Sequence, residues 1–125
     1  MSTDPYSKRV RDLFDVPAHA GSLDGASTVE VSDQGVRVRL YAAVVDAEIR
    51  ALRFQAWGCP HTIAAAEAFC AGYEGRPVVD LLDFSVSDLM QSLSVPVEKT
   101  GRILVIEDAV RSLGSEAGAI SIPDD

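Results

Sequence analysis

Cysteine and histidine are scarce in this 125-residue chain, which has two of each. Cys59 and Cys70 make no disulfide framework, and a structural zinc site wants four ligands. His19 lies in a Pro17–Gly21 loop with no partner at ligand spacing, and Cys59-Pro60-His61 supplies one short ligand pair. Basic residues are also few, 11 Lys and Arg against 19 Asp and Glu, for a net charge of −8. A non-specific nucleic-acid binder needs a surplus of Lys and Arg to displace phosphate counterions. Docking on an anionic membrane surface needs the same sign of charge. Neither partner is expected.

No apolar run approaches the ~18 residues of a membrane span. The opening Met1-Ser2-Thr3-Asp4-Pro5 has neither the basic nor the apolar region of a signal peptide. A cytoplasmic protein with reduced thiols is expected. There is no Gly-rich phosphate loop and no serine nucleophile elbow. The acids Glu107 and Asp108 occupy adjacent helical positions that point different ways, so they make no catalytic dyad.

What is present is ordinary globular composition, with 47% hydrophobic and 24% charged residues. A chain of this size buries about two-thirds of its surface on folding, so it can build a core without staples. The expected organisation is one domain over residues 1–114 and a mobile acidic tail over 115–125, which carries Glu116, Asp124 and Asp125. Asp4-Pro5 reads as a helix start, and Tyr6, Val10, Leu13 and Phe14 follow at helical spacing. Alternation then predicts three strands: Ser27 to Ser32, a run through Val36, Val38 and Leu40, and Glu48 to Trp57. Asp33-Gln34-Gly35 is turn chemistry, and the alternation slips by one near Arg50-Ala51, where a bulge fits. Pro60 opens a helix capped near Cys59 and stopped by Gly72 and Gly75. Pro77 starts a short helix, and Ser85 with Asp88 resembles a capping box for another. Val95-Pro96-Val97 is an extended linker. A last helix runs from about Lys99 to Gly114. Helix, three strands, then helices is an α+β pattern, a three-stranded antiparallel sheet with helices on one face.

Cys59 sits where the third strand meets a helix, in Trp57-Gly58-Cys59-Pro60-His61. A helix start carries partial positive charge and lowers a thiol's pKa. The residue is a candidate reactive thiolate, metal ligand or acceptor of sulfur, or else a small cap beside a hydrophobic strand. Cys70 lies eleven residues further along the same helix. That is about 16 Å at the α-helical rise. A disulfide needs Cα atoms within about 7 Å. The two therefore cannot bridge, and Cys70 reads as a core residue among Ala68, Phe69 and Ala71.

The string Ala51-Leu52-Arg53-Phe54-Gln55-Ala56-Trp57-Gly58-Cys59-Pro60-His61-Thr62-Ile63-Ala64 resembles the core motif of IscU/NifU-type iron–sulfur cluster scaffolds. In that family an "ARF…GC…IA" string carries the second cluster-ligand cysteine at a helix start. The stretch ending Val16-Pro17-Ala18-His19-Ala20-Gly21-Ser22-Leu23 is similar to the family's opening helix and its "NPRNVGSF" loop. Lys99 to Ala109, with Glu107-Asp108-Ala109, is similar to its last helix, "KIHCSxLAEDA". The likeness spans about residues 6–113 and runs ungapped from Cys59 to Ala109. It implies the α+β fold read above, a role in iron–sulfur cluster assembly, and a cysteine desulfurase as partner.

The departures from the pattern bear on the chemistry. The family site uses three cysteines with an Asp and a His. Here the turn positions hold Asp33 and Gly35, and the final His-Cys pair is replaced by Gly101 and Arg102. Cys59 alone remains, with Asp33 as a weak oxygen ligand and Gly35, His61, Gly101 and Arg102 lining the site. The family's chaperone-recognition segment "LPPVK" corresponds to Val95-Pro96-Val97-Glu98-Lys99. Clusters are held by several thiolates, so a monomer is expected to hold none stably, leaving iron or a cluster shared between chains. An Asp33–Arg102 ion pair is expected. The leading reading is a degenerate scaffold or accessory protein of cluster assembly or sulfur trafficking, not an enzyme. The alternatives are a binding or regulatory module that has lost metal chemistry, and a thiol enzyme using Cys59 with His61 or Arg102.

Overall fold

The computed structural model describes residues 8–15 and 17–117. Among them the chain forms α1 (Lys8–Asp15), β1 (Ser27–Asp33), β2 (Val36–Val45), β3 (Glu48–Trp57), α2 (Pro60–Tyr73), a 3-10 turn (Val78–Asp83), α3 (Ser87–Ser92), a second 3-10 turn (Val97–Lys99) and α4 (Thr100–Glu116). The helix start expected at Asp4-Pro5, and Tyr6 with it, lie outside the described residues.

The alternation does form an antiparallel meander, in the order β1-β2-β3. Val36, Val38, Leu40 and Ala42 of β2 point to the buried face, while Arg37 and Arg39 face outward. Gln34 and Gly35 both adopt positive φ (52° and 76°), the geometry that closes a two-residue hairpin. The expected slip is real. Ala43 pairs with Ala51 and Val44 with Ile49, so Arg50 is the extra residue of a bulge.

Helix α2 is the centre of the molecule. Ala64, Ala65, Ala66 and Cys70 are fully buried. Alanine favours the helix and, being small, lets neighbouring elements approach closely. The helix packs against β3, α1 and α4. At its C-terminal end Phe69 and Tyr73 meet the ring of Phe84 at 5.3 and 5.5 Å, both edge-on. Helix α4 covers β1 and β2 with Ile103, Ile106 and Val110.

Three local expectations are corrected. Gly114 does not stop α4, which continues through Ser115 and Glu116. Gly114 is buried, and a Cβ there would stand 3.0 Å from Leu81 Cβ, so the absent side chain serves close packing on the 3-10 turn. The first two residues of the expected tail are thus helical, and residues 118–125 lie outside the described ones. Gly72 likewise lies within α2, and the chain turns only at Gly75, where φ is +88°. The Ser85–Asp88 capping box does not form. α3 starts at Ser87, whose N–H donates to Ser85 Oγ at 3.3 Å, while the Val86 N–H donates to Glu107 Oε1 at 3.1 Å.

Candidate functional site around Cys59

β3 ends at Trp57, and Gly58 carries the chain across to α2. Gly58 has φ +156°, and a Cβ there would lie 2.4 Å from Val36 Cγ1. Only glycine fits this crossing. Cys59 is the N-cap of α2 in extended conformation (φ −82°, ψ 160°), and Pro60 follows in the first turn. Proline has no N–H to satisfy there and is preset for the helix. The Cys59 carbonyl accepts the N–H groups of Thr62 (3.0 Å) and Ile63 (3.3 Å).

The sulfur is partly buried, 3.5 Å from Thr62 Oγ1. Burial is the largest influence and opposes ionisation. The Thr62 hydroxyl, the Thr62 backbone, the Arg102 guanidinium and the His61 backbone together outweigh it, so the thiol is held below its ordinary value. His61 is buried on α2, and burial first and Lys99 second push its pKa down, which favours neutral imidazole. Cys70 is fully buried, and burial with the nearby Glu67 and Glu74 raises its thiol well above the ordinary range. It is a core residue and both cysteines are free thiols.

The fold brings the β1–β2 turn to the start of α4. A Cβ on Gly101 would lie 3.1 Å from Gln34 Oε1. The next residue, Arg102, lies close enough to the Cys59 thiol to help lower its pKa. The expected Asp33–Arg102 ion pair does not form: Asp33 is exposed, and its Oδ1 accepts the Gln34 N–H at 2.8 Å. The tight turn gives Asp33 a local donor. Asp33, Gly35, Val36, Arg37, Trp57 and Gly58 line a cleft of about 590 Å³. In the Val95–Lys99 segment the Val95 N–H donates to Met90 O at 2.9 Å, and Val97 is 83% exposed. Among the described residues, no group of three or more His, Cys, Asp and Glu side chains could hold a metal ion.

Two features escaped the sequence reading. Trp57 is nearly half exposed and carries Arg37 and Arg39 at 5.0 and 5.7 Å from its ring, a cation–π ridge beside the cleft. His19 does have partners, Glu67 and Glu74. The available signal was a pair of acids seven residues apart, one within an alanine-rich helix and one at its C-terminal end.

The chain matches the family model for the NifU-like N-terminal domain over residues 5–113. It is 30% identical over 112 residues to the iron–sulfur cluster assembly protein IscU of Plasmodium falciparum, covering 85% of this chain and 69% of that protein. It is 30% identical over 114 residues to the iron–sulfur cluster assembly scaffold protein IscU of Rickettsia prowazekii, covering 86% and 87%. In fold it is similar to the N-terminal part of a nitrogen-fixing NifU-like protein from Brucella abortus, at TM-score 0.57 and 16% identity over 90% of this chain and 81% of that one. No helix among the described residues is long and apolar enough to cross a membrane.

Proposed function

The chain belongs to the NifU-like N-terminal domain family, and from that premise we propose that it serves iron–sulfur cluster assembly as a sulfur acceptor working through Cys59. The observation that carries this reading is the environment of the sulfur, a half-buried N-cap thiol facing the Thr62 hydroxyl with Arg102 beside it. Those groups favour the thiolate, which is the nucleophile in sulfur exchange. The Cys59 thiolate attacks the outer sulfur of a donor persulfide. A new sulfur–sulfur bond forms on Cys59, the donor's sulfur–sulfur bond breaks, and the donor leaves as a thiolate. No electron is gained or lost overall. A cysteine desulfurase is the donor that the relatives' role in cluster assembly suggests.

The residues present do not fit a cluster enclosed by one chain. Cys59 is the one cysteine at the site, and Arg102 brings a positive charge near it. Fe–S clusters need several thiolates. Iron or a cluster held here would draw its remaining ligands from a second molecule, with Asp33 as a weak oxygen donor. The exposed Val97 and its neighbours Val95, Pro96, Glu98 and Lys99 form the proposed contact for an assembly partner.

The same missing ligand set favours a second reading, a regulatory module that binds the assembly machinery without chemistry. One experiment separates them. The protein is incubated anaerobically with a desulfurase, cysteine and Fe²⁺, then assayed by intact mass, iron, sulfide and visible spectrum. Gain of one sulfur on Cys59, abolished in Cys59→Ala, supports sulfur acceptance. A chain that stays sulfur-free and colourless while still binding the desulfurase supports the regulatory module.

A further inference from the structure

A partly buried polar cluster lies apart from Cys59, where the loop over residues 17–21 meets α2. Both ring nitrogens of His19 face carboxylates, Nδ1 at 2.6 Å from Glu67 Oε2 and Nε2 at 3.0 Å from Glu74 Oε1. The His19 backbone N–H also donates to Glu67 Oε1 at 2.7 Å. Glu74 Oε2 in turn accepts the Leu52 N–H at 2.8 Å and Arg53 Nη1 at 3.0 Å. A histidine with acceptors at both nitrogens is satisfied only as imidazolium, because the neutral ring has one N–H and one lone pair. The same loop is bonded to β3. Phe54 N–H donates to His19 O at 3.0 Å, and Gly21 N–H donates to Phe54 O at 2.8 Å. Pro17, Ala20 and Gly21 of this loop line a cleft of about 490 Å³ together with Phe54, Trp57 and Ile63.

We propose that His19 is a protonation-dependent latch, which as imidazolium clamps the 17–21 loop onto α2 and β3 and as neutral imidazole releases it, opening the cleft beside Trp57. The groups facing the ring are Glu67 of α2, Glu74 at the C-cap of α2 and Arg53 of β3, whose charge is shared with Glu74. Cys70 nearby stays a neutral thiol. On α1, Lys8 and Asp12 pair with each other at 3.0 Å on the exposed side, and Asp15 is exposed. Burial works against the charged ring, but the bonds and charges of Glu67 and Glu74 outweigh it, so the His19 pKa is raised. A released ring titrates near 6.5. The latch is therefore at full strength below about pH 6.5 and weakens as pH rises through the raised value. This device stands whether or not Cys59 accepts sulfur.

The test is amide hydrogen exchange on the full chain, with ring NMR following the titration of His19. Exchange is corrected for the intrinsic pH dependence and compared between the Gly21 and Phe54 amides and amides of the β1–β2 pairing. Protection at Gly21 and Phe54 is expected to fall as His19 loses its proton, by about tenfold for each unit separating the closed and released pKa values. The β1–β2 amides are expected to keep theirs. In His19→Gln the Gly21 protection is expected to be low and independent of pH. A flat wild-type profile through the titration overturns the latch, as does an equal loss at the β1–β2 amides or the same pH dependence in His19→Gln. If His19→Gln does not fold, the wild-type profile decides alone.

Discussion

Cys59 Sγ and Thr62 Oγ1 stand 3.5 Å apart, three residues along the first turn of α2. The hydroxyl supports a negative sulfur, and Thr62 is fully buried, so its replacement by the similarly shaped valine removes that support with little change of volume. Thr62→Val is expected to raise the Cys59 pKa and slow alkylation at pH 7 by about threefold to tenfold, the equivalent of one hydrogen bond. Arg102→Gln shifts the profile in the same direction. The measurement is the pH profile of iodoacetamide alkylation with Cys70 buried, and an unmoved profile in Thr62→Val refutes the assignment.

Gly58→Ala is expected to destabilise by about 1–3 kcal/mol, because the new Cβ meets Val36 Cγ1 at 2.4 Å in a tightly packed core. Val36→Ala alone costs stability by leaving a cavity. Combined, the two changes are expected to cost less than their sum, since the cavity receives the new methyl. Urea unfolding of the two single variants and the double variant measures the coupling, and strict additivity would show that the clash is relieved elsewhere.

Ala47 occupies the left-handed region at φ +64°, beside Asp46 at +54°, in the exposed turn between β2 and β3. A Cβ is disfavoured there, and Asp-Gly is the preferred pair for such a two-residue turn. Ala47→Gly is expected to stabilise by about 0.5–1 kcal/mol, the relief of strain exceeding the added freedom of the unfolded chain. A lower midpoint of thermal unfolding than wild type contradicts this. Few glycine substitutions in a strand pair are expected to stabilise, which makes the position a sharp test of the turn geometry.

The elements that were legible in the sequence are those fixed by near neighbours. The meander followed from alternation in Val36, Val38 and Leu40, the bulge at Arg50 from a slip in the same pattern, and the start of α2 from Pro60. What was not legible depends on distance along the chain. His19 finds Glu67 and Glu74, 48 and 55 residues away, and no periodicity links them. Gly114 reads as a stop until Leu81 is seen against it. Asp33 and Arg102 are far apart in sequence and of opposite charge, yet a local N–H satisfies Asp33 and no ion pair joins them, while Arg102 favours the Cys59 thiolate instead. At the candidate site the position of Cys59 was readable. The Thr62 contact was readable only as spacing, and the Arg37–Trp57–Arg39 ridge depended on strand register.

The two histidines are expected to pull stability in opposite directions with pH. His61 is buried and near Lys99, both of which lower its pKa in the folded chain. The unfolded chain therefore binds a proton near pH 6.5 that the native state refuses. The stability linked to His61 is present above about pH 6.5 and is lost as pH falls through the lower folded value. His19, with its raised pKa, contributes below about pH 6.5 and loses that contribution as pH rises through its folded value. With two histidines in the chain, ring NMR assigns both from the spectra of His19→Gln and wild type. His61 is expected to titrate below 6.5 and to move upward in Lys99→Gln, by less than its full displacement because burial is the larger cause. Denaturant unfolding between pH 5 and 8 then shows the balance. Removing His19 leaves a curve that declines only on the acid side. A His61 that titrates at or above the ordinary value, or a Lys99→Gln variant in which it does not move, removes the electrostatic account of this face of α2.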